Sequence, residues 1–221
     1  MKLIPVIALL ALAAVSQAQI TKSGPGYLFR MKHTAGATLK YGVVSSISGF
    51  GANGQPMQIT LPMTWKVASV KNGVATIDTL VGPVTMGKSQ MGQAEKNRIQ
   101  IDSLGKLTGQ AGSGQQVTPT FPQAPVKIGG SWSANAPIEL PMQGQQKITA
   151  TYTFKGMKTV NGKQMAELSV KTSGSASGTG TMLLLASDGS LFKSNINLNL
   201  KMQGANGTPT TYKVTANISR K

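Results

Sequence analysis

The chain has 221 residues, with 22 Lys and Arg against 6 Asp and Glu, one His, no Cys and a formal net charge of +16. Because it contains no cysteine, it is neither a disulfide-stabilised scaffold nor a lipoprotein acylated on cysteine, and its stability has to come from its core. The positive charge favours polyanions and anionic surfaces as partners and has no bearing on the fold.

Residues 1–18 have the pattern of a bacterial-type secretory signal peptide. Lys2 precedes an uninterrupted apolar run over residues 3–15, and the small residues Ser16 and Ala18 precede Gln19 as a cleavage site requires. The run is shorter than the roughly 20 apolar residues that a spanning helix needs, although a retained anchor is the alternative. We therefore expect a periplasmic or extracellular protein, cleaved after Ala18, with no integral membrane span in the mature chain.

The rest of the chain repeatedly alternates apolar and polar residues, which is typical of strands with one buried and one solvated face. The alternation is clearest over residues 27–31, 39–47, 57–67, 148–154, 192–202 and 212–218. Asn-Gly or Asp-Gly pairs, which tolerate the positive φ of two-residue hairpins, stand at 53–54, 72–73, 161–162, 188–189 and 206–207. The sequence predicts an all-β protein, an antiparallel meander that forms a curved sheet or barrel. No segment beyond the signal peptide sustains a helical period, and the best helical candidate, 90–98, carries Gly92.

Two hairpins suggest an internal duplication. TWKVASVKNGVATIDT (64–79) parallels TYTFKGMKTVNGKQMAELSVKT (151–172). Between them, GQAGSGQQVTPTFPQAPVK (109–127) is rich in Gly, Gln and Pro and shows almost no alternation, which indicates a linker or exposed connection. We therefore divide the mature chain into a first β half (19–108), this connection and a second β half (128–221).

Motifs in the second half support a resemblance. PVKIGGSWS (125–133) contains the run P-V-K-x-G-x-x-W, and the TYTF…NG hairpin (151–162) and a D-G-x-L strand start (188–191) follow it. In these features the chain resembles exported bacterial β-rich proteins of unknown function, which implies a fold but no catalytic residues. More loosely, the long meander with one apolar face is similar to the curved half-barrels of periplasmic lipoprotein carriers, which hold acyl chains against their concave face.

Motifs for catalysis or metal binding are sparse. GPVTMGKS (82–89) fits the P-loop pattern, but that pattern requires a strand and a helix of an α/β sheet around it, and here hairpin residues surround it. His33 is the single histidine, and GSASG (174–178) places Ala176 where a hydrolase elbow would have its serine. Since the chain has one His, no Cys and six scattered acids, we expect no catalytic site, no metal site and no cofactor.

The acidic residues have a simpler interpretation than catalysis. Paired carboxylates could hydrolyse glycosides, yet each acid among so many lysines is most simply the partner of a neighbouring cation. Asp188 is expected to be a turn residue whose side chain bonds its own backbone. Nucleic acid is not an expected partner, because the lysines are scattered and the only arginines are Arg30, Arg98 and Arg220.

The apolar faces leave three alternatives. If these faces are packed by their own side chains, the protein is a structural or interaction module. If they surround a cavity, they suit an acyl chain or another lipid-like ligand. If they face outward, the protein is an outer-membrane barrel, which the low aromatic content disfavours. We expect a non-enzymatic binding or envelope-associated module with an apolar interior; a structural module retained by Lys contacts to anionic envelope polymers is the alternative. The residues expected to contact an apolar ligand, each with core packing as its alternative role, are Trp65, Trp132, Tyr152, Phe154 and Phe192.

Overall fold

The structure, a computed structural model, describes residues 19–48, 55–108, 119–140, 144–203 and 209–221. Within these ranges the chain forms antiparallel strands and no helix, so the all-β prediction is confirmed. The predicted signal peptide and the turns at 53–54 and 206–207 lie outside the described residues. The strands are β1 (Ile20–Ser23), β2 (Gly26–Phe29), β3 (Thr38–Ser48), β4 (Met57–Lys71), β5 (Val74–Val81), β6 (Val84–Met86), β7 (Ser89–Met91), β8 (Glu95–Ile101), β9 (Ser131–Leu140), β10 (Gly144–Val160), β11 (Lys163–Gly174), β12 (Ala176–Leu185), β13 (Leu191–Gln203) and β14 (Pro209–Arg220).

Twelve of these strands form one sheet, in the order β7-β6-β4-β3-β14-β13-β12-β11-β10-β9. The long β4 pairs with β6 through its first part and with β5 through its second part, and β5 continues to β8. In the described part of the chain no ladder joins β8 to β9, so the sheet is open and the predicted alternative of a closed barrel does not apply. β1 and β2 form a separate hairpin.

The β4–β5 and β10–β11 hairpins share two local features. Asn72 and Asn161, each with a φ of 51°, begin their turns in the left-handed region, as the Asn-Gly pairs predict. Each first strand also carries a β-bulge, which falls between Val67 and Ser69 in one hairpin and between Phe154 and Gly156 in the other. Because a bulge bends its strand and increases the local twist, both hairpins curve the sheet. The division into two related halves stays a prediction.

The core lies between the sheet and the β1–β2 hairpin. We call the sheet face that carries the buried residues the inner face, and its end near this hairpin the packed end. The N–H of Tyr27 donates to the carbonyl of Val126 at 2.8 Å, and the N–H of Met31 donates to that of Ser103 at 2.7 Å. Phe29 is 0% exposed. The hairpin therefore fills the inner face at the packed end.

The expectation of an exposed connection is wrong for part of its described length. In the described part of the connection, 119–127, Phe121 and Val126 are buried in the core, because burial removes their apolar surface from water, whereas residues 123–125 and 127 are exposed. Residues 90–98, which the sequence offered only as the best helical candidate, contain the end of β7 and the start of β8, in agreement with the all-β prediction. The P-loop-like residues 82–89 contain β6 and the start of β7, which form a hairpin in place of the helix that a P-loop needs.

Candidate functional site

Aromatic rings from three parts of the chain meet at the packed end of the inner face. The ring centroid of Phe29 lies 5.1 Å from that of Phe154, 5.4 Å from Trp132 and 5.8 Å from Phe121. Trp132 also stacks on Tyr152, at 5.4 Å between centroids. Its indole Nε1 donates a hydrogen bond of 2.8 Å to the carbonyl of residue 120, which fixes the connection over the ring. This cluster is held together by burial and by edge-to-face contacts.

The five residues predicted to contact an apolar ligand fall into three places. Trp132, Tyr152 and Phe154 belong to the aromatic cluster, whereas Trp65 is a separate contact of Tyr41 on the same face, with ring centroids 5.8 Å apart. Phe192 lies apart from both, beside Arg220 in a surface depression near the β12–β13 turn. Their role toward a ligand stays a prediction. Phe29 and Phe121, which complete the cluster, were absent from that set.

Beyond the aromatic cluster, the inner face continues toward the end of the sheet where β3 and β13 end and β4 and β14 begin, which we call the distal end. Strand register places one row of inner-face residues across the sheet here: Met57, Ile47, Val214, Leu198, Gly178, Thr172, Ala150 and Ala134. The half of this row toward β9 consists of small side chains, Gly178, Thr172, Ala150 and Ala134. Because these side chains fill less volume than leucine or isoleucine, we infer that this half of the row is the floor of a groove.

Larger apolar residues flank this floor. Leu198, Leu200 and Ile148 share the inner face, as their strand parity and cross-strand partners show, and all three are half-buried. They do not belong to the buried core cluster, whereas Ile196, one step nearer the packed end, packs against it. The distal groove therefore combines a floor of small residues with partly exposed apolar flanks.

A polar atom lies in this apolar setting. Thr172 is 6% exposed, and its Oγ1 has no hydrogen-bond partner among the described residues. Buried hydroxyls are normally satisfied by protein, water or ligand, because an unsatisfied one loses its hydration without compensation. The signal for this floor in the sequence is the run GSASGTG (174–180), which sequence reasoning inspected only as a failed hydrolase motif.

A second polar cluster lies at the packed end, in the β12–β13 turn. Asp188 Oδ1 accepts hydrogen bonds from the N–H of Ser190 at 2.8 Å and from its hydroxyl at 2.6 Å, which confirms the predicted turn role. Arg220 Nη1 donates to Asp188 Oδ2 at 3.0 Å and to Ser190 Oγ at 2.7 Å. The backbone N–H of Lys32 donates to the Asp188 carbonyl at 2.9 Å, so the cluster ties the turn to the segment after β2.

The hydrogen bonds of Asp188, Ser190 and Arg220 hold the β12–β13 turn in place, and we call these three residues the brace. The hydroxyl of Ser190 donates to Asp188 and accepts from Arg220, so its hydrogen bonds join the turn to the end of β14. Burial lowers the pKa of the nearby His33 below its usual value of 6.5, against the opposing effects of a backbone hydrogen bond at Asp102 and of the Asp188 and Asp102 carboxylates. Burial also raises the pKa of Tyr41. Both side chains are therefore kept neutral at the packed end.

The remaining acids behave largely as the sequence predicts. Asp78 pairs with Arg98 at 2.7 Å, and Glu167 pairs with Lys158 at 2.8 Å. Asp102 instead accepts backbone N–H bonds from the turn that follows it, at 2.9 Å each. In the described ranges, no group of three or more His, Cys, Asp or Glu is placed to hold a metal ion. The same ranges contain no helix that is long and apolar enough to cross a bilayer.

Comparison with protein families gives one similarity. Residues 111–215 match a family of unknown function, DUF6263. The match begins in the connection and extends through most of the second β half, so it includes the groove floor and the β12–β13 turn. No curated protein matches the chain.

Proposed function

We propose that the protein is an exported, non-enzymatic binding module that holds an acyl chain or a similar lipid-like ligand in the distal groove. The observation that carries this proposal is the contrast in side-chain size across one row of the inner face. The small residues Thr172 and Ala150 stand on the same face as Leu198 and Leu200, which keep part of their apolar surface accessible. Such a groove excludes water from an apolar ligand at a gain of about 25 cal/mol per Å² of buried apolar surface.

The Thr172 hydroxyl supports a ligand that is apolar along most of its length and carries a polar group. The hydroxyl is buried in the floor with no partner among the described residues, so an oxygen of the ligand or of a trapped water would satisfy it. The rings of the aromatic cluster close the packed end of the inner face. A ligand would therefore enter from the distal end and meet Tyr152 and Trp132 at the inner limit of the groove.

Export is supported by the signal-peptide pattern of residues 1–18. The looser resemblance to periplasmic lipoprotein carriers also supports an acyl ligand. In those carriers the apolar face of a curved, open sheet holds the ligand, and the sheet of the present chain is likewise open.

Native mass spectrometry of the purified protein, before and after addition of palmitate, tests the proposal. We expect the wild type to carry extractable lipid or to bind palmitate. Leu198→Glu places a carboxylate on the flank of the groove and should weaken palmitate binding by about tenfold or more, because a charge is costly to desolvate. Asn197→Glu is the matched control, since it introduces the same residue at the next position of β13 on the opposite face.

Two outcomes would contradict the proposal. One is a wild-type protein that carries no lipid and takes up none from an excess of palmitate. The other is equal loss of binding in Leu198→Glu and Asn197→Glu, which would indicate that palmitate associates with the charge of the protein and not with the groove.

A further inference from the structure

The opposite face of the second β half, which we call the outer face, carries a row of uncharged polar residues. Strand register aligns Ser131, Thr153, Ser169, Thr181, Asn195 and Asn217 across six neighbouring strands. Some of these side chains bond to each other in cross-strand pairs, such as Ser131 Oγ with Thr153 Oγ1 at 2.7 Å. The row thus presents hydroxyl and amide groups in a regular array, which is a surface that can donate and accept hydrogen bonds.

A depression of about 360 Å³ interrupts this array over β10–β14. Its volume lies within the range of about 300–1,000 Å³ that is common for small-molecule sites. Two β-bulges adjoin it, between Phe154 and Gly156 and between Leu183 and Leu184. Since bulges change the direction of side chains, they account for a local hollow in an otherwise regular face. The lining residues are Lys158, Glu167, Thr181, Leu183, Lys193, Ser194, Asn195 and Asn217.

The lining offers donors and acceptors close to one another. Asn195 Nδ2 donates to Asn217 Oδ1 at 2.6 Å. This bond uses the amide nitrogen of one residue and the oxygen of the other, so the oxygen of Asn195 and the nitrogen of Asn217 have no side-chain partner among the described residues. The hydroxyl of Thr181 and the second oxygen of Glu167 add two further groups. An acceptor beside a donor is the arrangement that adjacent hydroxyls of a sugar ring can satisfy.

The charge of the depression is positive. Glu167 is neutralised by Lys158 at 2.8 Å, whereas Lys193 forms no salt bridge with a described acid, which leaves one net positive charge. Exposed Lys171 and Lys213 extend the positive surface along the same face. The hollow contains no arginine and no aromatic ring, so it lacks the groups that bind phosphate bidentately or stack on bases.

We propose that this depression binds an anionic polysaccharide, with a sugar carboxylate at Lys193 and ring hydroxyls at Asn195 and Asn217. Charge complementarity selects an acidic polymer, and the uncharged hydrogen-bonding groups, which outnumber the unpaired cation, select one that is rich in hydroxyls. The site lies on the face opposite to the distal groove. It does not depend on the groove's ligand.

Binding of polygalacturonate, with uncharged dextran and dextran sulfate for comparison, tests this site. We expect polygalacturonate to bind, uncharged dextran not to bind, and the affinity to fall as salt is raised. Lys193→Gln and Asn217→Ala should each weaken polygalacturonate binding by about three- to tenfold, as the loss of one hydrogen bond predicts. Lys66→Gln is the control, since it removes the same charge from an exposed position on β4 in the first half.

Several outcomes would overturn the site. Absence of polygalacturonate binding would do so, as would a loss in Lys66→Gln equal to that in Lys193→Gln. The site would also be overturned if Asn217→Ala bound polygalacturonate as the wild type does and dextran sulfate bound equally tightly. That result would show only a general attraction between a polyanion and a positively charged protein. Leu198→Glu should retain polygalacturonate binding, so failure of the lipid proposal and failure of the polysaccharide proposal remain distinguishable.

Discussion

The packed end and the distal end of the inner face are built from the same strands and the same alternation, yet they differ in what covers them. At the packed end the β1–β2 hairpin and the connection bury Phe29 and Phe154 completely. At the distal end Ile148, on the same face of the same strand as Phe154, stays half-buried. Alternation therefore determines which side chains face inward, whereas segments distant in sequence determine whether those side chains become core or remain available to a ligand.

The largest expected difference in stability between the two ends comes from the loss of an aromatic ring at the packed end. Phe29→Ala should lower the free energy of unfolding by about 3–5 kcal/mol, because it removes a fully buried ring and leaves a cavity among three others. Leu198→Ala, at the distal end, should cost less than about 2 kcal/mol, since the leucine is already partly exposed. Urea unfolding measures both changes, and equal losses would contradict the distinction between the two ends.

A smaller effect concerns the brace at the packed end. Asp188→Asn should destabilise the protein by about 1–3 kcal/mol, because it removes the partner charge of Arg220 and weakens the bonds to Ser190 in a partly buried site. Asp78→Asn is the control, since the Asp78–Arg98 pair is exposed and such pairs contribute little. Thermal unfolding compares the two variants. Similar shifts in the midpoint would show that the brace adds nothing beyond an exposed ion pair.

The smallest effect is a pH dependence at the packed end. The folded protein lowers the pKa of His33 below 6.5, so between the folded and unfolded pKa values the unfolded chain binds more protons at this group. Stability from this group is present above about pH 6.5 and falls as the pH decreases below that value. Urea unfolding at pH 7.5 and 5.5 measures the change, and His33→Gln should remove it. A profile that is the same in the variant would assign the dependence to another group.

Local features could be predicted from the sequence because local physics determines them. The Asn72 and Asn161 turns follow from the tolerance of Asn-Gly pairs for positive φ, and the backbone bond of Asp188 follows from the reach of a short acidic side chain in a turn. Alternation likewise predicts the strands. These features require no knowledge of which strands become neighbours.

The remaining features depend on long-range packing, which no window of the sequence contains. Phe121 lies in a Pro-rich segment without alternation, so nothing local indicated that it packs on Phe29. The groove floor became visible only when register aligned Gly178 with Thr172 and Leu198. The polar depression depends on a bulge between Leu183 and Leu184, and a bulge shifts register by one residue without a sequence signature here.

The pairing of β3 with β14 also bears on the order in which the molecule assembles. The strands β9 to β14, like β3 to β5, pair with their neighbours along the chain, so each series can form one hairpin after another. Tyr41 and Arg220 face each other in the seam between the two series although nearly the whole chain separates them. Closing so long a loop costs conformational entropy, and this cost precedes the contacts that stabilise the seam. We therefore expect the seam to be the last and slowest junction to form. A protein whose seam has opened should expose two unpaired strand edges at once, and each edge can pair with another chain.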